Sequence, residues 1–351
     1  MGNRQPTGSR ALRTWVRGLG AVMLLAAVLA AVAAWAAWRW LDTPLPLAAP
    51  SVELSIEPGT TPRNVAQAWV DAGVAVPPRA LYEWFRWSGQ ARAIRAGSYE
   101  VHSGVTPRSL LAKMVRGDEV LEQVRFVEGW TLRQLRAELA RAPALQPRSR
   151  DWTEAQLMAA MGTPGVAGEG RFFPDTYAYS RGVSDLTVLR RAHRAMQQEL
   201  QAAWEARSPD TPLNSPDEAL ILASIVEKET GREADRALVA GVFSNRLRLG
   251  MLLQTDPSLI YGLGAAFDGN LRKRDMLADG PYNTYTRAGL PPTPIALPGR
   301  ASLRAAVQPQ ATRALYFVAR GDGSSVFSNS LAEHHRAVNR YQRLPARRSA
   351  P

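Results

Sequence analysis

Two carboxylates close one apolar stretch of the sequence, Glu227 and Glu229 in ALILASIVEKET, and they are the groups best suited to acid/base work. Ser215-Pro216-Asp217-Glu218 combines an N-cap, a proline fit for the first turn and a glutamate at the third position. A helix should therefore begin there and stop at Gly231. At about 100° per residue, Glu229 falls between Leu222, Ile225 and Val226 on the apolar stripe, while Glu227 points roughly the opposite way, nearer Leu220 and Ala223. A carboxylate on a core-facing stripe loses hydration, and the negative end of the helix dipole adds to the effect, so the pKa of Glu229 should rise. A carboxylic acid still protonated near neutral pH can protonate a glycosidic oxygen. The same placement also suits a structural glutamate paired with Arg232 or Arg246.

Polar residues crowd the sequence that follows. MLLQTDPSLIYG places Gln254, Thr255 and Asp256 together, and PYNTYT places Tyr282, Asn283 and Tyr285 just before the proline-rich GLPPTPIALPG. Tyrosine rings pack on pyranose C–H faces and amides bond sugar hydroxyls, so Gln254, Tyr282, Asn283 and Tyr285 are the candidate substrate contacts. Simple loop polarity would give a similar composition, but the prolines stiffen this loop and preorganise its side chains. His334 and His335 are adjacent and so face different ways on a helix, with no accompanying ligand spacing, and no metal or cofactor is expected. No phosphate-cradling glycine loop or nucleophile elbow is present.

The elements that must carry these residues fall into an α+β arrangement behind an N-terminal apolar segment. Gly18 to Trp38 holds no charge, and at about 1.5 Å per residue a helix of that length spans roughly the 30 Å of a bilayer core. Arg4, Arg10, Arg13 and Arg17 precede it, with only Arg39 close behind. Residues 1–17 are therefore expected in the cytoplasm, with 18–38 as a single transmembrane helix and the rest outside the membrane. Trp15, Trp35, Trp38 and Trp40 suit the interfaces. A signal peptide is the competing reading, but its apolar region is usually only about 7–15 residues.

Residues 39–50 read as a stiff, proline-containing linker. A weak internal repeat follows, ELSIEPGTTPRNVAQAWVDAG and YEVHSGVTPRSLLAKMVRG. In each copy a strand and a glycine turn lead to a Thr-capped, Pro-started helix that a glycine closes. This predicts a small α+β subdomain over 51–123, like LysM carbohydrate-binding units or a packing scaffold of the same shape. A larger α+β catalytic domain is expected over 124–340. It includes helices opened by Thr131-Leu-Arg-Gln134, near Thr153, and by Ser184 through Trp204; a flexible tail occupies 341–351.

Composition excludes several classes. The formal charge is +12, carried almost wholly by arginine, with Lys113, Lys228 and Lys273 the only lysines. The arginines are scattered rather than gathered in a stripe, so no nucleic-acid partner is expected. With no cysteine, disulfides, thiol catalysis and a lipoprotein anchor are excluded.

The ordered strings ILASIVEKET, VAGVFSNRLRLGMLLQTDPSLIYG, YNTYTRAGLPPTPIALPG and YFVARGDG closely resemble the MltG (YceG-like) endolytic murein transglycosylases, as do VEGWTLRQL and EGRFFPDTY. The resemblance runs over nearly all of residues 50–340. It departs at Ser325, where many relatives carry histidine, and at His335, where asparagine often stands. It implies a membrane helix, a LysM-like subdomain and a catalytic domain, with the second glutamate of Glu-Lys-Glu, Glu229, as the catalytic residue. It further implies non-hydrolytic cleavage of the MurNAc–GlcNAc β-1,4 bond within peptidoglycan strands, and penicillin-binding proteins of the synthesis machinery as partners. Two alternatives stay open, a hydrolase using water and a non-catalytic wall-binding scaffold; a third, a pyridoxal-phosphate lyase built on Lys228, is opposed by the expected extracytoplasmic location and the lack of a phosphate cup.

Overall fold

A computed structural model describes residues 8–343, with side chains described from Met23 to Gln342. Arg4, the tail beyond Arg343, and the side chains of Arg10, Arg13, Trp15 and Arg17 lie outside the described residues. The chain divides into two compact units, Met1–Leu121 and Glu122–Pro351.

The first unit opens with α1 (Gly8–Leu41). Its stretch Met23–Leu41 has a mean hydropathy of 1.7 and is long and apolar enough to cross a membrane. Met23, Leu24, Leu25, Val28, Leu29, Val32, Trp35 and Trp38 are all exposed on it. The segment after α1 is not a free spacer. Leu45 is buried and its amide bonds the Val105 carbonyl, while Leu47 bridges to Val74, so the chain is docked before the first strand begins.

The unit continues as β1 (Ser51–Ile56), α2 (Pro62–Ala72), α3 (Pro78–Trp87), β2 (Gly97–His102) and α4 (Pro107–Arg116). β1 and β2 pair antiparallel from Ser51↔His102 to Ile56↔Gly97. Thr61 and Thr106 cap α2 and α4, each helix starts on proline, and Gly73 (φ 123°) and Gly117 (φ 77°) end them in backbone that L side chains rarely adopt. The repeat is thus real at both helices, with α3 inserted between its copies. Trp69, Leu81, Phe85, Tyr99, Leu110 and Met114 fill the core, and the Trp69 indole N–H reaches the Met114 sulfur at 3.2 Å.

The second unit runs β3 (Leu121–Arg125), α5 (Leu132–Leu139), α6 (Glu154–Ala160), β4 (Thr176–Ser180), α7 (Asp185–Glu205), α8 (Pro216–Glu229), α9 (Glu233–Arg248), α10 (Asp256–Leu263), α11 (Lys273–Leu277), α12 (Arg300–Val307), β5 (Tyr316–Ala319), β6 (Ser325–Ser328) and α13 (Leu331–Val338). The strands make short two-stranded ribbons, β3 with β4 and β5 antiparallel to β6, so helices supply the mass of the core. Thr131 and Thr153 form reciprocal capping boxes with Gln134 and Gln156, and Ser184 and Ser215 cap α7 and α8. Glu218 closes no box with Ser215; its carboxylate instead takes the Asn214 backbone N–H at 2.7 Å.

α8 differs from the amphipathic helix expected. Every residue from Ala219 to Val226 is buried, because α7, α9, α10 and α12 enclose it. Its one internal hydroxyl, Ser224, accepts from the Ile295 N–H at 3.0 Å and donates to the Ile221 carbonyl, which pins the proline-rich loop along the helix. α9 holds the next connection. The Asn245 amide donates to the Thr312 and Ala314 carbonyls, and Gly241 lies so close that a Cβ there would sit 2.5 Å from the Gln310 carbonyl oxygen. Gly241→Ala should therefore destabilise the fold by about 1–3 kcal/mol through forced displacement of the 310–312 segment. The expected outcome is a thermal midpoint several degrees lower in the detergent-solubilised protein, measured by intrinsic tryptophan fluorescence.

Candidate active site

The two carboxylates at the end of α8 meet different environments, and the distinction is not the one that helix angle suggested. Glu227 is not on an exposed face: its side chain is only 7% exposed. It accepts the Gly299 backbone N–H at 2.9 Å and lies 3.7 Å from the Arg236 guanidinium. Glu128 joins this cluster, and burial followed by the Glu227 charge pushes its carboxyl up. A Cβ on Gly299 would overlap the Glu128 carboxylate. Glu227 is thus a structural carboxylate that ties the proline-rich loop and α9 to α8.

Glu229 has no cation within ion-pairing distance among the described residues, and neither Arg232 nor Arg246 bonds it. Its Oε1 accepts from the Thr255 hydroxyl at 2.5 Å. Burial pushes the Glu229 carboxyl up to about 7, and the Asp256 charge pushes the same way; the Thr255 hydrogen bond and the Arg246 charge pull it back. Partners, not helix face, separate the two glutamates.

The Thr255 hydroxyl is available because it caps nothing. Thr255 stands at the N-cap of α10, before Asp256 and Pro257, yet its side chain makes no cap bond. A buried hydroxyl cluster fixes it instead. The Thr255 N–H donates to Thr284 Oγ1 at 3.0 Å, Ser258 Oγ donates to the Thr255 carbonyl at 3.0 Å, and Ser258 and Thr284 hydroxyls lie 3.0 Å apart. Beside it, Gln254 holds φ at 50°, a strained value for a residue with a side chain, and its N–H bonds the Thr284 carbonyl. Arg246 lies under this turn: it is 7% exposed and donates to the Leu252, Leu253 and Leu315 carbonyls. The Tyr316 ring covers its guanidinium at 5.1 Å. His334 stacks on the far side of that chain of contacts, with its ring centroid 5.2 Å from Tyr316.

The four candidate contacts separate. Gln254 is exposed next to Thr255, and Tyr285 is half-buried with its hydroxyl bonded to the Asp256 carboxylate, so both border the Glu229 carboxyl. Tyr282 lies further along; its hydroxyl is 2.7 Å from that of Thr293 and its ring stands edge-on to Tyr261 at 5.0 Å. Asn283 is 2% exposed. Its amide donates to the Asp275, Met276 and Ala278 carbonyls, and its Oδ1 accepts from the Tyr285 N–H, which leaves it no free hydrogen-bonding group. It shapes the loop that presents Tyr282 and Tyr285.

A second perturbed carboxylate was not singled out in the sequence. Glu169, in EGRFFPDTY, accepts the Leu132 N–H at 2.9 and 3.1 Å and the Tyr261 hydroxyl at 3.3 Å. Burial pushes its carboxyl up to about 7, against the pull of those bonds. Lys228 is exposed and donates to the Gly129 carbonyl at 3.3 Å. Among the described residues no group of three or more His, Asp or Glu side chains is placed to hold a metal ion.

A mixed α/β fold whose central buried helix ends on a protonatable carboxyl defines the class. Residues 54–340 match the YceG-like family, and the chain belongs to it. An endolytic murein transglycosylase of Bacillus subtilis strain 168 is 30% identical over 317 residues, covering 83% of this chain and 85% of that protein. One from Streptococcus pneumoniae D39 is 26% identical over 335 residues, covering 85% of this chain but 60% of its own length. A solved structure of a YceG-like protein from Listeria monocytogenes superposes with a TM-score of 0.51 at 27% identity, covering 82% of this chain and 99% of that one.

The raised carboxyl has a measurable cost in stability. Glu229 ionises near pH 7 in the folded protein against about 4.5 unfolded. Below pH 4.5 both states carry the proton and nothing is lost; between about 4.5 and 7 the unfolded chain ionises while the folded carboxyl keeps its proton, so stability falls across that window and levels off above 7, where both states are charged. Glu229→Gln should therefore match wild type near pH 4.5 and exceed it by about 1–2 kcal/mol at pH 8, after discounting for partial exposure. Glu169 is common to both proteins and cancels. Denaturant titrations of the pair across that range check it, and a variant equally or less stable at pH 8 would contradict it.

Proposed function

We propose that this chain is a membrane-anchored endolytic murein transglycosylase, a lyase that cuts the MurNAc–GlcNAc β-1,4 bond within peptidoglycan strands with Glu229 as its single acid/base catalyst. The observation that carries the reading is the Glu229 carboxyl itself, paired with no cation among the described residues, poised near pH 7 and oriented by Thr255. Family membership and the names of the relatives supply the substrate class.

In the protonated form Glu229 gives its proton to the glycosidic oxygen as the C1–O bond breaks, and the GlcNAc 4-hydroxyl departs. The carboxylate that remains accepts the proton of the muramyl C6 hydroxyl, whose oxygen attacks C1 and closes a 1,6-anhydro ring. The proton count returns to its start and no water is consumed. One group serves twice because its two states are close in energy at neutral pH. The Thr255 hydroxyl favours the carboxylate and burial favours the acid, so neither state is trapped. Gln254 and Tyr285 contact the sugars on either side of the scissile bond, Tyr282 extends the groove, and Asn283 holds their loop in place.

The N-terminal helix is read as a cytoplasmic-membrane anchor with its N-terminus inside and both folded units outside. Trp38, Trp40, Trp84 and Trp87 line one recess of about 480 Å³ where α1 meets α3, and Trp87 is 79% exposed. Rings so placed match the headgroup level of a bilayer, which supports an anchor over a cleaved leader. The small unit is read as LysM-like, and penicillin-binding proteins as partners that supply nascent strands.

Digestion of purified sacculi by wild type and Glu229→Gln tests the reaction. Wild type should release fragments with anhydro-muramyl ends, one water lighter than reducing ends, and Glu229→Gln should lose about 10³-fold or more of that rate. Reducing ends from wild type would make the chain a hydrolase, and full cleavage by Glu229→Gln would remove the assignment of the catalyst.

A further inference from the structure

One cavity of the second unit has no part in the chemistry just described. It holds about 800 Å³ and is lined by Thr131, Arg133 and Arg136 of the α5 region, by Arg150, by Glu169, by Tyr261 of α10 and by Phe267 after it. Its size is that of a pocket for a group larger than one sugar ring. Two of its three guanidinium groups are unspent. Arg133 and Arg150 are exposed and make no ion pair or side-chain hydrogen bond among the described residues, whereas Arg136 is committed to the carbonyls of Ser149, Arg150 and Trp152 at 3.1, 3.1 and 2.6 Å.

That commitment makes the pocket a built one. Arg136 gathers the 149–152 turn from one side, and buried Asp185 holds it from the other, accepting the Ser149 N–H at 2.9 Å and hydroxyl at 2.7 Å. Arg150 is thereby held on a pinned turn, and Arg133 on the first turn of a helix fixed by the Thr131–Gln134 box. Two free guanidinium groups on rigid supports are suited to a carboxylate, which they bind through paired N–H donors. Little opposes such a ligand. Glu154 is turned to the Gly168 N–H at 2.6 Å, and Glu169, raised to about 7, carries only part of its charge near neutral pH.

The pocket also lies at the right remove from the catalyst. Thr255, bonded to Glu229, and Tyr261, on the pocket wall, stand at the two ends of α10, about 9 Å apart at roughly 1.5 Å per residue. The Tyr261 ring meets Tyr282, so the groove and the pocket share a wall. The sugar rings and their N-acetyl groups are neutral, so the anionic groups within that reach of a muramyl residue belong to its lactyl arm and the peptide that extends it.

We propose that the pocket between Arg133, Arg150 and Tyr261 binds a free carboxylate of the peptidoglycan stem peptide, so that the enzyme selects peptide-bearing strands. This inference rests on peptidoglycan being the substrate, and its test is an equilibrium binding measurement that requires no cleavage. The probes are three soluble GlcNAc–MurNAc disaccharides: one bearing a tetrapeptide with free carboxylates, one with every peptide carboxylate amidated, and one with no peptide. Titrated into the full-length protein in detergent, the free acid should bind about tenfold or more tighter than either of the others. The double variant Arg133→Gln/Arg150→Gln should bind all three alike, with its thermal midpoint unchanged, and Arg133→Lys/Arg150→Lys should keep part of the preference.

Equal affinity of wild type for acid and amide overturns the proposal, as does a preference that survives the double glutamine variant. Peptide-free disaccharide binding as tightly as the acid form overturns it too, by assigning the pocket to the lactyl carboxylate. Acid-selective binding by a protein that leaves sacculi uncut would uphold the pocket while removing the catalytic reading.

Discussion

A helix buried on every side that ends on two carboxylates sets the terms for the whole second unit. α8 has no solvent face along Ala219–Val226, so the groups at its C-terminus must find partners inside the protein. The protein meets that demand in two ways. Glu227 receives a guanidinium and a backbone N–H, and the recipient loop, 289–299, becomes part of the core. Glu229 receives a neutral hydroxyl only. An ion pair would have held Glu229 charged; a hydroxyl leaves the choice of state to the proton. The same constraint thus yields a structural carboxylate and a reactive one two residues apart.

Supplying that hydroxyl recruits much of the surrounding structure. Thr255 would ordinarily cap α10, and withdrawing it leaves the helix start to be fixed by other means. The Ser258–Thr284 cluster, the strained Gln254 and the Arg246 guanidinium under the turn do so together. Asn283 in turn fixes the loop that carries Thr284 and Tyr285. The buried hydroxyls, Arg246 and Asn283 are spent on geometry, which explains why a sequence so dense in polar residues presents only a few to the groove. Arg246 shows the trade most clearly. Its position beside Glu229 invites an ion pair, yet three carbonyls and a tyrosine ring absorb it.

Local signals were legible wherever the chemistry was local. Thr61, Thr106, Thr131, Thr153, Ser184 and Ser215 cap the helices that their types and spacing predict, and Gly73 and Gly117 end two of them, because capping is decided within four residues. Contacts across the chain were not legible. The angle argument separated Glu227 from Glu229 by assuming one wet face, and packing by α12 and its neighbours removed that face. Asn283 looked like a sugar ligand because an amide in a polar loop carries no mark of its partners, which here are backbone carbonyls up to eight residues away. Glu169 was passed over for the same reason: its partners Leu132 and Tyr261 lie 37 and 92 residues distant in the chain. Residues 39–50 read as a stiff linker because prolines resist helix, but extended chain is also what the contacts of Leu47 with Val74 and Leu45 with Val105 require.

The remaining question is why one carboxyl should be enough. Glycosidases that use water or a covalent intermediate place two carboxyl groups across the bond, since one must deliver a proton while the other handles the nucleophile. When the nucleophile is a hydroxyl of the sugar being cut, the proton it loses is equivalent to the one already donated, and a single group can exchange both. What such a group needs is near-equality of its two states, held by opposing influences rather than by a fixed charge. Burial and the Asp256 charge raise the Glu229 carboxyl, the Thr255 bond and the Arg246 charge lower it, and the balance falls at about 7. A cation drawn closer would favour the carboxylate and weaken the acid step. Loss of the hydroxyl would favour the acid and weaken the base step. The absence of an ion pair at Glu229 is therefore the property that lets α8 deliver its last residue as a catalyst.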